Sequence, residues 1–207
     1  MLDVHAPEHG IHGMRDFFIH LLTITAGLLI AIGLEQSVEA LHHRHQRIEA
    51  EKQIRQEIRE NRQALHDGSG KLKVELEGMK DALKSLDAIS KGHPGKFNEA
   101  ELAFSEGPMH DSAWRTASTT GVLSYMDYGE VEKFADAYKE QDELRAMEEL
   151  TANDYLQLVP VLQGSGGVVD QERAKAALPY ARSAMGHLSG MYFIGVGTAG
   201  AYDEVLK

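Results

Sequence analysis

The sequence predicts an all-α protein: one N-terminal transmembrane helix extended into a helical bundle. Three observations lead there. Phe17 to Leu34 is an uncharged apolar run, the stretch after it is rich in Glu, Arg, Gln and Ala without Pro or Gly, and later leucines recur at spacings of 4 and 3. No stretch sustains β alternation. The expected organisation is a short tail (1–16), the span (17–34), a juxtamembrane helix and helical hairpin (35–90), a connector (91–110), and the rest of the bundle (111–207).

The 18 residues of the run include eleven Phe, Ile or Leu. As a helix they would reach roughly 27 Å, close to the hydrocarbon thickness of a bilayer. Each of the eleven favours insertion by about 0.3–0.6 kcal/mol, which outweighs two threonines and one histidine near an end. A cleaved signal peptide is the alternative, because Val38-Glu39-Ala40 loosely fits a small-x-small site. Against it stand one Arg among three acids upstream and Glu35 and Glu39 beside the cut. At about 100° per residue, His20, Thr23, Gly27, Ala31 and Leu34 share a narrow arc. Thr23, Gly27 and Ala31 form a small-residue stripe of the kind that lets helices approach in lipid, which predicts a homo-oligomer or a place in a membrane complex, with His20 beside the contact.

"EQSVEALHHRHQRIEAEKQIRQEIRENRQAL" should carry the helix on into water, with a break or bend near Gly68-Ser69-Gly70. Leu72, Leu76, Met79, Leu83 and Leu86 then form the apolar seam of a bundle or coiled-coil helix. The connector holds Pro and Gly, and Asn98 with Glu101 can cap a short turn. Asp111 or Ser112 should cap a helix to about Met126, with Trp114, Val122 and Leu123 in the core. Residues 130–162 read as a long helix with Val131, Phe134 and Tyr138 on one early face and Tyr155, Leu158, Val159 and Leu162 on a later one, stopped by "QGSGG". The last helix should run from near Asp170 towards Glu204, restarted or kinked at Pro179. Its uncharged segment "SAMGHLSGMYFIGVGTAGAY" reads as a closely packed buried helix, too rich in Gly and Ala for a good membrane span.

Charge and motifs exclude several function classes. The chain has a formal charge of −11, and residues 63–207 hold 14 basic against 23 acidic side chains, the wrong sign for a nucleic-acid surface. Without cysteine there are no disulfides, thiolate zinc sites or cysteine nucleophiles. "GVGTAG" at 195–200 matches G-x-G-x-x-G, but only seven residues follow it, leaving no room for the ribose partner. "GSGK" at 68–71 lacks the hydroxyl residue that holds magnesium in a phosphate loop, since Leu72 follows. No nucleophile elbow is present. Trp114-Arg115 reads as a core aromatic beside a solvated charge rather than a cation–π pair.

Histidine is the unusual feature. His5, His9, His12, His20, His42, His43 and His45 are seven of the eleven in the chain. Glu39-x-x-His42 is half of the di-iron bundle motif and His45 adds a group one turn on, so Glu39, His42 and His45 are the candidate metal ligands. No second Glu-x-x-His exists, and headgroup contact or pH sensing are competing roles. No cofactor other than this possible metal is expected.

"ITAGLLIAIGLEQSVE…EKQIRQEIRENR" followed by "SAWRTASTTGVLSYM…FADAYKEQDEL" resembles a group of uncharacterised bacterial membrane proteins, over about half of the chain. They have one apolar helix, a basic-acidic helix finishing in E-I-x-x-N, and then a helical domain; the usual Ile-Gly pair is here interrupted by Ala26. The resemblance implies a single-pass inner-membrane protein with a helical extramembrane domain and brings no activity. Relatives with a more basic N-terminus would place that domain in the periplasm, whereas Arg44, Arg47, Lys52, Arg55, Arg59 and Arg62 after the span place it in the cytoplasm. The two signals oppose each other, so sidedness is not assigned. The expected function is that of a membrane-anchored assembly or accessory subunit acting through protein contacts. The rival is a metal-binding or pH-sensing membrane protein, or a metal-dependent enzyme, using the Glu/His cluster.

Overall fold

The computed structural model describes residues 13–94, 97, 102, 104, 107–163 and 168–207. His5, His9, His12, the Asn98 and Glu101 turn and residues 164–167 of the predicted stop lie outside them. Four α-helices follow in order: α1 (Met14–Ser90), α2 (Ser112–Thr120), α3 (Tyr128–Leu162) and α4 (Gln171–Leu206), with a 3-10 turn at Val122–Tyr125. No strand occurs among the described residues, as an all-α sequence pattern requires.

The chain divides into two units, Met1–Ile48 and Glu49–Lys207. In the first, the described residues are the N-terminal part of α1, and the apolar window there has none of its share buried. Thr23, Thr25 and Ser37 bond their hydroxyls to the carbonyls of Ile19, Leu21 and Gly33, so their polar atoms are satisfied within the helix.

The second unit is a bundle of the C-terminal half of α1 with α3 and α4. Contacts between Arg55 and Val205, Arg62 and Asp203, and Gln171 and Ser90 set α4 antiparallel to α1. His187 with Asp154 and Thr151 with Met191 set α4 antiparallel to α3. One core cluster gathers Met79, Ala82 and Leu86 with Leu144, Tyr155, Leu158, Leu162 and the α4 seam Ala174, Ala177, Ala181, Ala184, Leu188. A second gathers Ile54, Ile58, Val122, Phe134, Ala137, Tyr138, Tyr202 and Val205. Burying each large apolar side chain contributes about 1.5–3 kcal/mol. The alanines at 3,4,3 spacing keep α4 close to its neighbours.

Several expectations need correction. α1 passes through Gly68-Ser69-Gly70 without a break, so residues 35–90 contain no hairpin. Two glycines cost a helix about 1 kcal/mol each, less than is gained when Leu65, Leu72, Leu76 and Met79 on either side pack against the core. α2 ends at Thr120, short of Met126, because Gly121 takes a left-handed conformation with φ 75° and the chain tightens into the 3-10 turn. α4 is helical on both sides of Pro179, without a restart. Residues 183–202 are buried along one face only: Ala184, Leu188, Met191, Thr198 and Tyr202 are inside, while Phe193 and Val196 are exposed. The seam at Leu72, Leu76, Met79, Leu83 and Leu86 does pack as its spacing predicts, with Met79 and Leu86 fully buried.

Candidate functional site

The apolar N-terminal part of α1 is the first candidate. Among the described residues, α1 is the one helix long and apolar enough to cross a membrane. Every residue from Gly13 to His42 is exposed, including the predicted contact residues His20, Thr23, Gly27 and Ala31. His20 has its Nδ1 3.1 Å from the Asp16 carbonyl. A Cβ added at Gly27 would meet nothing within 4 Å, so nothing inside the chain requires glycine there.

Glu39, His42 and His45 lie on the same helix. Glu39 lies 3.9 Å from His43, one turn along. The His42 and His43 rings sit 6.3 Å apart. Positions 39, 42 and 45 rotate by about 60° per step around the helix, so their side chains fan outwards. Among the described residues no group of three His, Asp or Glu converges on a metal-sized point.

The most ordered polar site is one that sequence reading did not single out. Glu57, on α1, is buried. Its carboxylate accepts from Ser112 Oγ at 2.8 Å, from the backbone N–H of Ala113 at 2.9 Å and from Tyr138 Oη at 2.6 Å. It therefore caps α2 from another helix, taking the place that Asp111 or Ser112 was expected to fill. Asp111 makes no side-chain cap bond and pairs instead with Arg115 and Arg145. Burial, then the bond to Glu57, raises the Tyr138 phenol well above its ordinary range. Trp114 stacks on the Tyr138 ring at 5.3 Å, nearly parallel.

One turn along, fully buried Asn61 pairs both backbone groups of His110, its Oδ1 accepting from the N–H at 2.8 Å and its Nδ2 donating to the carbonyl at 2.6 Å. Gln141 Oε1 accepts from Asn61 Nδ2 at 2.9 Å and from Tyr202 Oη at 2.6 Å. Arg55 bonds Glu130 and the Val205 carbonyl and lies 5.5 Å from the Phe134 ring. These contacts fasten α1, α2, α3 and α4 at one end of the bundle. Glu57, Ile58 and Asn61 are the E-I-x-x-N run of the resemblance, and "SAW" and "FADAY" supply the partners of Glu57, while Asn61 finds His110 and Gln141. The signal was therefore present as letters, but a charged residue within a charged helix gives no hint of burial.

A groove of about 620 Å³ is lined by residues of α1, α3 and α4 and by Gly107 and Met109; Leu65, Leu72, Leu144, Met191, Val196 and Arg62 are among them. "GVGTAG" is wholly helical; a Cβ on Gly197 would come within 3.2 Å of the Glu140 carboxylate, one on Gly195 would make an ordinary 3.6 Å contact with Leu65, and one on Gly200 would meet nothing within 4 Å. "GSGK" is likewise helical, so no phosphate loop forms.

Comparison with known protein families, curated proteins and solved structures finds no match.

Proposed function

We propose that this chain is a single-pass bacterial inner-membrane protein whose acidic helical domain is an assembly or accessory subunit, acting by protein contact and self-associating through its membrane helix. One observation carries the reading. The apolar window of α1 is wholly unburied, whereas further along the same helix Ile54, Ile58, Met79, Ala82 and Leu86 are fully buried. A core helix of a soluble protein would cover its most apolar stretch first. Leaving eleven Phe, Ile and Leu side chains in water would cost about 1.5–3 kcal/mol apiece, and a bilayer removes that cost.

The partner-binding role rests on the bundle itself. Its polar groups at Glu57 and Asn61 are spent on holding helices together, as in a scaffold, and its surface charge disfavours nucleic acid. Native mass spectrometry of the tagged full-length protein, gently extracted from its own membrane, tests this. A homo-oligomer supports self-assembly and a defined foreign subunit supports the accessory role. A lone monomer under conditions that preserve known complexes of the same membrane contradicts both.

A further inference from the structure

We propose that residues 17–48 of α1 pair with the same residues of a second copy as a parallel, left-handed two-stranded coiled coil that starts in the bilayer and continues beyond it. The inference rests on the membrane-anchored reading above and specifies its contact. Phe17, His20, Ile24, Gly27, Ala31, Leu34, Val38, Leu41, His45 and Ile48 follow one another at alternating spacings of 3 and 4, the 3.5-residue repeat of a supercoiled pair.

Inside the span nearly every position is apolar, so the pattern is informative only past Leu34. Between Glu35 and Gln53 the chain has three large apolar side chains, Val38, Leu41 and Ile48, and all three fall on the seam. They are 68%, 66% and 47% exposed. Lipid does not cover them all: at 1.5 Å per residue, Leu41 and Ile48 lie about 10 and 21 Å along the helix from Leu34, against a headgroup layer of about 5–8 Å. Glu35, Glu39, Arg44 and Arg47 occupy other positions of the same turns.

Residue type and charge name the occupant as a second copy. With Phe17 at position a, the β-branched Ile24 and Val38 stand at a and Leu34 and Leu41 at d, a distribution that favours parallel dimers, with Ile48 at the last d the exception. Two copies inserted in the same sense are parallel of necessity. Arg44 then occupies g and Glu49 the following e, so each Arg44 faces Glu49 of the other copy, twice by symmetry. Glu49 holds Gln53 and Lys52 within its own helix while half exposed, within reach of this second cation. His45 is the polar a residue beyond the span, a type that fixes register.

The stripe Thr23, Gly27, Ala31, spaced four apart, would instead give a right-handed crossing near −40° that separates the helices outside the membrane. Gly27 and Ala31 belong to both seams, but only the heptad accounts for Val38, Leu41 and Ile48.

The chain has no cysteine, so single cysteines report pairing without background. V38C, L41C and I48C, on the seam, are compared with A40C and Q46C, on the outer positions, by oxidative cross-linking of the full-length protein in its native membranes. The seam set should give several-fold more disulfide dimer than the outer set, and adding L41E to I48C should abolish its dimer. Equal yields in both sets, an excess in the outer set, or no dimer at V38C, L41C and I48C overturns the pairing. Alkaline extraction of the same membranes separates the two readings: a chain retained in the pellet without seam cross-links refutes pairing alone. A chain released to the supernatant refutes anchoring, and with it a coiled coil that starts in the bilayer.

Discussion

Glu57 and Asn61 show how a single side chain can hold several elements. Asn61 satisfies both backbone groups of His110 and a lone pair of Gln141, so N61L takes the His110 N–H's partner away and leaves the His110 carbonyl and Gln141 Oε1 with one bond fewer each, from Gln141 Nε2 and Tyr202 Oη respectively. We expect a loss of about 2–3 kcal/mol, read as a lower thermal midpoint by circular dichroism of the full chain in detergent; an unchanged midpoint would show the network to be dispensable. The phenols of Tyr138, Tyr155 and Tyr202 are all raised, chiefly by burial. A raised folded-state value means that the contribution is complete below the unfolded phenol's value of about 10 and is lost as pH rises above it. Alkaline titration should therefore unfold the bundle as these tyrosines ionise together. Phenolate absorbance exceeding that of four of the seven tyrosines while the helix is still intact would contradict this. The faces of Tyr138 and Tyr155 were legible beforehand, but the Glu57 and Asn61 contacts were not, because burial of Glu57 depends on Ser112 and Tyr138, residues 55 and 81 positions away.

At the scale of the element, the unbroken α1 makes a counter-intuitive forecast. Gly68 and Gly70 are helical, neither has a positive φ, and an added Cβ at either would meet nothing within 4 Å. G68A and G70A should each stabilise the protein by about 0.5–1 kcal/mol, seen as raised midpoints; a fall would mean that the helix does break there. G121A should do the opposite, since Gly121 holds a φ of 75° at the end of α2. Elements whose signal is periodic were legible: α3, α4 and the Met79 and Leu86 face followed from spacing. Breaks were not, because "GSG" looks like a turn whichever way the leucines around it pack. The expected Asp111 cap failed for a related reason, since a carboxylate from α1 reached the α2 N-terminus and Asp111 found arginines instead.

At the scale of the molecule, the chain combines an unburied apolar helix segment with a helical domain that has its own core. The candidate span was legible from composition alone, since 18 uncharged residues need no tertiary context to be noticed. The metal reading of Glu39, His42 and His45 has a less direct sequence basis, because residues three apart along one helix fan outwards unless another chain or helix completes the set. Alkaline carbonate extraction of the full-length chain from its own membranes, followed by intact mass of the recovered protein, tests the central claim most directly. The account predicts that the protein stays in the pellet and retains residues 17–34. Release into the supernatant, or a mature chain beginning after Ala40, would contradict it.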